Sequence, residues 1–526
     1  MPSQAGFGAG EAEYAVLPRN SNQALGIAQY AIDFLGGKYG DNVSARVYER
    51  VRLFHTDSVV CGVSALALKT NAPTILREEA LEYSCDSGAR VFGSLARSHP
   101  EKAIAANCAA VREWDANGTV FGFNPKLPEH RAGEFGHNDF YPVVVAAAHA
   151  GAKDVDGRKA LRAMLCLDEI RGRLAEVFSL KSFKVDHVVH GAIASAAVYG
   201  ALLGATAEQI ESAIGLSVAH YIPWRAIRAG KQLSDSKGSS AGLAAEAAVL
   251  SMRRAMRGFV GPRDIFRNPE SVFRANVRTA GDSPFDLILA HSGEDFAVAR
   301  MHFKLGLYEH QSAGALEGVL RLLMENPVLY KEPSRIKSVT VTAYEPAFGV
   351  IGDVAKRDPQ TRQSADHSMV YVISTLMRKA IEAEEIPPDL DGAWMALMLT
   401  PFDYSKEAIA HPTTRALMNN THFKHGGPEY DAKYPEGIPT SVAVELSDGQ
   451  TLEGPLVMFP AGHAANTEAD LMKILSHKFR TMVAIAMERE DAEAFLAKLD
   501  NLPALSNEEL QTLYYFPSLK SLAPID

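Results

Sequence analysis

The residues best placed to do chemistry begin at Tyr221. The stretch Tyr221 to Gly258, YIPWRAIRAGKQLSDSKGSSAGLAAEAAVLSMRRAMRG, sets Arg225 and Arg228 three residues apart, the spacing that puts two side chains on one helical face. Lys237 stands just ahead of an Ala-rich helix. Ser239 and Ser240 are the cap candidates of that helix, Arg253, Arg254 and Arg257 fill its last turn, and Gly258 is its left-handed stop. A helix N-terminus offers free N–H groups and positive potential. A lysine beside it is a poor resting arrangement and a good anion site. Three solvated surface charges would produce the same sequence.

Groups able to move protons lie on either side. Trp114-Asp115-Ala116-Asn117-Gly118-Thr119 follows a helix, and its Asn-Gly pair predicts a turn that puts Asp115 and Thr119 on a loop. Glu134 to Asp139 (EFGHND) sets His137 among turn formers. A loop carrying Asp and His supplies acid and base groups, although an Asx-turn with an exposed histidine fits the same residues. In Asp186-His187-Val188-Val189-His190 the two imidazoles have metal-pair spacing, but no third ligand is near, so a metal is not expected. Asp186 more simply orients His187, or the histidine is a satisfied residue at a helix start. Lys304, Tyr308 and His310 in HFKLGLYEHQS form a mixed donor set suited to carboxylates and proton transfer; the alternative is a surface strand entering a capped helix. His367 in ADHS and His463 after Gly462 are read as structural, with Asp366 or Ser368 capping a helix.

There is no GxSxG, no P-loop and no Rossmann fingerprint with its acidic partner. The GFGAG near the start has no strand before it. The four cysteines (Cys61, Cys85, Cys108 and Cys166) form no CxxC pair, which disfavours zinc, thioredoxin-type and iron–sulfur sites and fits reduced, buried thiols. What remains is scattered Lys, Arg and His with one aspartate. That set suits proton transfer next to a carboxylate, with cations stabilising enolate-like charge.

These residues must be positioned by helices for the most part. Arg46 to Leu66 and Gly157 to Phe178 carry apolar residues at three- and four-residue steps, and Gly191 to Ala219 is Ala-rich with small faces. Past residue 300 the texture changes. Gln311 to Met324 is helical, Ser334 to Thr342 alternates like a strand, and Ser364 to Ala383 is helical. From Thr440 to Pro460 a hairpin is predicted, with Val442, Val444 and Leu446 alternating, Asp448-Gly449 turning, and Val457 and Phe459 returning. Glu468 to Leu499 is helical again. The expected architecture is mainly α, a large all-helical domain plus a smaller α+β domain. The divisions are a disordered tail at 1–20, the helical domain at 21–295, the α+β domain at 296–462, and helices at 463–526 that return to the first domain.

At 526 residues the chain exceeds one ordinary core. A net charge of −10 argues against nucleic acid as partner, while leaving room for a locally basic pocket. The most apolar run, Gly191 to Ala205, is too short and too rich in Ala and Gly for a membrane span, and no signal pattern opens the chain. A cytoplasmic protein is expected.

Taken in order, the motifs resemble those of the MmgE/PrpD family, which includes iron–sulfur-independent 2-methylcitrate dehydratases, cis-aconitate decarboxylases and an iminodisuccinate epimerase. SDSKG, an Ala-rich helix and RGFVGPRDIF resemble the family's S-x-W-K-G, helix and G-x-x-GP block. WDANGT resembles its D-x-x-x-T segment and GHND the histidine segment after it. DHVVHGAIASAA, HFKLGLYEHQSA, ADHSMVYV, YPEGIPTSVAVELSDG and FPAGH also have counterparts. The likeness runs from about residue 22 to 500. Ser236 stands where the family has tryptophan, and FGFNPKLPEHRAGE separates Thr119 from GHND by about a dozen extra residues.

The resemblance implies active-site positions at Asp115, Thr119, His137, His187, Lys237, Lys304 and His310, with Tyr344 as a further tyrosine. Its Arg-x-x-Arg stretch favours Arg225 and Arg228 as carboxylate contacts. It implies Asp115, His137, His187, Lys237 and His310 as the catalytic set, and Thr119, Arg225, Arg228, Lys304 and Tyr344 as the substrate-binding set. It further implies no cofactor, no metal, a homodimer, and a site between the two domains. The expected activity is dehydration of a tricarboxylate, 2-methylcitrate to 2-methyl-cis-aconitate in propionate catabolism. Decarboxylation, epimerisation and non-catalytic tricarboxylate binding are the alternatives.

Overall fold

A computed structural model describes residues 13–525 apart from Lys153. The architecture is mainly α, with a smaller α+β part after residue 300. Residues 1–12 of the expected tail lie outside the described residues. Its later part is a correction: Tyr14–Leu17 (β1) is a strand, antiparallel to Leu287–Ala290, because its short apolar run finds a partner edge there.

The helical part is built around Val188–Leu202 (helix α1), whose side chains are buried on nearly every face. Gly157–Val177 (α2), Ala207–His220 (α3) and Asp235–Met256 (α4) pack around it. A helix apolar on all sides belongs in a core, and small residues let its neighbours approach closely. Gly200 shows this: a Cβ there would lie 2.6 Å from Met252 Sδ. Gly242 of α4 lies just as close to the backbone of Pro100–Arg112, where an added Cβ would collide with the Ala105 carbonyl. Gly242→Val is therefore expected to cost about 1–3 kcal/mol, read as a lower urea midpoint at unchanged m-value.

Helix α4 departs from the sequence reading at its start. It begins at Asp235 with Ser234 in the N-cap position, so Ser239 and Ser240 lie inside it and Lys237 is in its first turn. Gly258 does take the left-handed conformation past the C-terminus (φ 94°).

In the α+β part, Ile336–Ala343 (β2) is central. It runs parallel to Thr421–His425 (β3) and antiparallel to Thr440–Leu446 (β4). Val339, Val341, Val442 and Val444 alternate inward, and Ala313–Glu325 packs on the face they make. The hairpin turns at Asp448-Gly449, where Gly449 has φ 89°, but the return strand is Thr451–Glu453 rather than the Val457 and Phe459 segment. Gly454 and Pro455 interrupt it, since proline has no N–H for the ladder. Val457 then rejoins through one bridge to Thr440.

The last helices, Leu471–Ala486 and Arg489–Asp500, pack against Ala45–Ala67 near the other end of the chain. Among the described residues no single helix is long and apolar enough to cross a membrane.

Candidate active site

The site is assembled where Pro100–Arg112 ends. The chain passes Glu113 to Gly118 as a loop and enters a two-residue strand, Thr119–Val120, paired with Gly136–His137. On its other side Thr119 exchanges backbone hydrogen bonds with His302, donating at 2.9 Å and accepting at 2.7 Å. Tyr308 N–H donates to the Asp115 carbonyl (3.0 Å). The Asp115 loop is thus stitched to the 302–308 segment, and that places Lys304 against it.

Asp115 is the hub. It has no solvent exposure, and one carboxylate oxygen is ion-paired with Lys304. Its other oxygen lies 3.3 Å from Arg112 Nη2, 3.2 Å from His367 Nδ1 and 3.8 Å from Lys237 Nζ. Lys237 also reaches Asp366 at 2.6 Å. Burial alone would push the Asp115 carboxyl up. Arg112, Lys304, His367 and Lys237 outweigh it and hold the group well below the usual carboxylate range. Asp366 is likewise held low: burial is outweighed mainly by Lys237 and by its bond with His367. Burial moves both lysines down from their ordinary value, against the carboxylates that face them. Lys237 in a first helical turn is therefore not solvated; it is buried between Asp115 and Asp366.

Asp115, Asp366 and His367 bring three ligand-type atoms within 4.8 Å of one another, the one such group among the described residues. The Lys237 and Lys304 ammonium groups already lie against these carboxylates, so the cluster is a compensated charge network. His367 Nδ1 lies 2.7 Å from Asp366 Oδ1 and faces two ionised carboxylates that only accept. The ring proton therefore sits on Nδ1 and the lone pair on Nε2. His367 is held neutral, its pKa lowered to about 4 by burial and then by Lys237, against the pull of the two carboxylates.

A cleft of about 600 Å³, counted out to its open mouth, lies over the hub, and His367 forms part of its wall. Arg225 and Arg228, in one 3-10 turn (Arg225–Arg228), line it with Lys356. The two arginines differ. Arg228 is ion-paired with Asp186 and donates to Ser240 Oγ (3.1 Å), whereas Arg225 Nη1 is buried without a partner. His137 Nε2 lies 3.3 Å from Arg112 Nη2. A guanidinium only donates, so Nε2 accepts and Nδ1, which has no partner, carries the proton. His187 lies 5.3 Å from His137 between ring centroids, and burial holds both imidazoles well below the usual histidine range. Glu309 also lines the cleft, its pKa raised to about 7 by burial and then by Asp115, against Lys304. Phe135, Val350 and Ile351 supply apolar wall.

Residues 31–283 match the MmgE/PrpD N-terminal domain. The chain is 25% identical to a 2-methylcitrate dehydratase of Cupriavidus necator, over 86% of this chain and 89% of that protein. It is 24% identical to a 2-methylcitrate dehydratase of Escherichia coli K12, over 93% and 96%. It is 23% identical to an alkylcitrate dehydratase of a fungal species, over 82% of each.

The chain belongs to the MmgE/PrpD family. These relatives carry dehydratase names, which sets hydro-lyase chemistry as the family context.

In this MmgE/PrpD chain, Asp115, Lys237 and Lys304 meet in the buried hub, while Thr119, His137, His187, Arg225 and Arg228 line the cleft. His310 and Tyr344 do neither. His310 is fully buried with both ring nitrogens unpartnered, and it stacks on His302 at 5.1 Å, which stacks on His463 at 4.1 Å. Tyr344 is buried against Tyr434, with ring centroids 4.8 Å apart. His190 turns away from His187 to the Phe178 carbonyl (3.0 Å), so no metal pair forms.

His367 is a correction: read as structural, it is a wall residue in contact with the hub. Arg112, Glu309 and Asp366 were missed as site residues. Arg112 ends a helix, where a cation reads as dipole compensation. For Asp366 and His367 the usable signal was their adjacency to each other.

Proposed function

We propose that the protein is a cofactor-free hydro-lyase dehydrating a tricarboxylate, with 2-methylcitrate as substrate, 2-methyl-cis-aconitate as product and a place in propionate catabolism. The observation that carries this reading is the buried Asp115 hub, ringed by Arg112, Lys237 and Lys304, beneath a cleft whose Arg225 guanidinium has an unpaired buried donor. Dehydration beside a carboxylate needs three things: an anchor for the carboxylates, an acceptor for the C–H proton, and positive charge near the developing enolate.

Arg225 is the free anchor, with Arg228 beside it fixed in place by Asp186. The Nε2 lone pair of His367 is the acceptor, oriented from behind by Asp366 and Asp115. Lys237 and Lys304 supply fixed positive charge, and the unpartnered Nδ1–H of His137 is a donor to substrate oxygen. The apolar wall of Phe135, Val350 and Ile351 suits an alkyl substituent. The names of the relatives support the same reaction type.

The test is purified protein with 2-methylcitrate, cis-aconitate and iminodisuccinate supplied separately. Appearance of the unsaturated acid and one water from 2-methylcitrate is expected. Carbon dioxide from cis-aconitate or racemisation of iminodisuccinate, with 2-methylcitrate untouched, would replace this reading with a decarboxylase or an epimerase. Ligand-induced thermal stabilisation without any turnover would make it a binding protein.

Arg225→Ala is expected to raise KM about thirtyfold with kcat changed little. A charge-assisted bond to a carboxylate contributes about 2 kcal/mol. Steady-state kinetics on 2-methylcitrate checks this, and an unchanged KM would remove Arg225 from the binding set.

A further inference from the structure

Three carboxylates around the cleft are each paired with a cation, and Glu309 is not. Asp115 is paired with Lys304, Asp366 with Lys237, and Asp186 with Arg228. Glu309 is 9% exposed and lines the same cleft, yet no Lys, Arg or His nitrogen lies within the 4.0 Å of an ion pair among the described residues. Its carboxyl is met instead by Gln311, whose backbone N–H donates at 2.8 Å and whose side-chain amide lies at 3.5 Å. A buried carboxylate without a cation is costly, and the neutral acid is the cheaper state. An ionised Glu309 would also repel a bound tricarboxylate.

The groups around it agree. The Asp115 charge disfavours ionisation, and Lys304 and Arg112 oppose it only partly. Two further titratable neighbours are the buried phenols of Tyr344 and Tyr434, both neutral, and the cleft Glu309 faces is also lined by His137, His187, His367, Lys356, Arg225 and Arg228. From the 366–368 turn it meets only the Asp366 carbonyl, which accepts from the Glu309 N–H at 2.9 Å.

We propose that Glu309 is the proton donor to the departing hydroxyl of the substrate. The step balances within the site. His367 Nε2 takes the C–H proton, and that electron pair becomes the C=C bond. The C–O bond breaks with its pair on oxygen, which takes the Glu309 proton and leaves as water. The proton on His367 then returns to Glu309 through solvent and resets both groups.

This inference rests on the dehydratase reading, so two measurements separate the two. The first is kinetic, on full-length Glu309→Gln, which keeps size and one oxygen to accept from the Gln311 N–H. Its kcat is expected to fall at least 100-fold with KM within threefold. Wild-type activity should decline above pH 7, where the required acid ionises, and the variant should lack that limb because the site imidazoles are already neutral there and Lys237 and Lys304 stay paired with Asp366 and Asp115. Retained kcat, or a limb that survives the substitution, overturns the assignment.

The second is calorimetric and independent of turnover. Tricarballylate, a tricarboxylate without the hydroxyl, is titrated at pH 8 in two buffers of different ionisation enthalpy. Proton uptake on binding that disappears in Glu309→Gln supports a neutral acid facing the ligand; uptake equal in the two proteins overturns it. A wild-type protein that dehydrates nothing but shows Glu309-dependent uptake defeats the dehydratase reading and leaves Glu309 as a neutral acid of an anion site.

Discussion

Asp115→Asn is expected to lower kcat/KM by at least 1,000-fold and to destabilise the fold by about 3–5 kcal/mol, the range for removing one partner of a buried ion pair. The isosteric amide keeps volume and removes charge. Arg112, Lys237 and Lys304 then face one another with Asp366 as their nearest remaining anion, 2.6 Å from Lys237. Arg112 retains His137 Nε2 at 3.3 Å and, as its remaining carboxylate at ion-pair distance among the described residues, Asp139 at 3.8 Å. Among the described residues Lys304 has no second carboxylate partner, and burial already presses its pKa down, so the expected relief is loss of its proton. That removes positive charge where the enolate develops, and it leaves His367 without one of the two carboxylates that fix its tautomer. Urea denaturation and steady-state kinetics check the two halves. A variant with wild-type midpoint and turnover would mean that Asp115 is an inert buried acid.

The sign of the pH dependence follows from the direction of the shift. The folded-state Asp115 pKa lies below its unfolded value, so its stabilisation is present above the ordinary aspartate range and is lost as pH falls through the folded value. Asp115→Asn should therefore flatten the acid side of the stability profile.

Periodicity carried the helices because their faces report burial directly. Arg46 to Leu66 and Gly157 to Phe178 were read to within a residue of Ala45–Ala67 and Gly157–Val177. The helix starts at Asp235, earlier than Ser239 and Ser240 suggest: all three candidate caps are serine, so residue type does not choose among them, and Ser234 makes no side-chain cap bond. The hub was half legible. Lys237 stood out as a cation in the wrong place on a helix, and the structure explains it through Asp366, 129 positions away. No local rule connects those two residues. Glu309 was invisible for a different reason. Next to His310 it reads as a solvated charge, and only the absence of a cation around a buried carboxyl marks it, which is a property of packing.

The farthest-reaching contact of the site also lacks a sequence signal. Lys478 lies on Leu471–Ala486 and is fully buried. Its ammonium lies 2.5 Å from Asp57 Oδ1, 2.5 Å from the Ala116 carbonyl and 2.7 Å from the Lys304 carbonyl. All three N–H donors are used. Two of them grip the backbone beside Asp115 and of Lys304 itself, so one side chain fixes both members of the central ion pair without touching the cleft. Lys478→Met is expected to cost about 3–5 kcal/mol, because Asp57 is left charged and buried without its cation. Kinetics should show kcat down at least tenfold with KM nearly unchanged, as for a positioning residue. Stability and positioning are then separated by the double variant Lys478→Met/Asp57→Leu. Replacing a buried ion pair by apolar side chains is near neutral, so the double variant should regain most of the lost urea midpoint. Its kcat should stay low, since the Ala116 and Lys304 carbonyls remain untethered. Recovery of kcat along with stability would reduce Lys478 to a structural ion pair; stability without kcat makes it the brace that holds Asp115 and Lys304 in register.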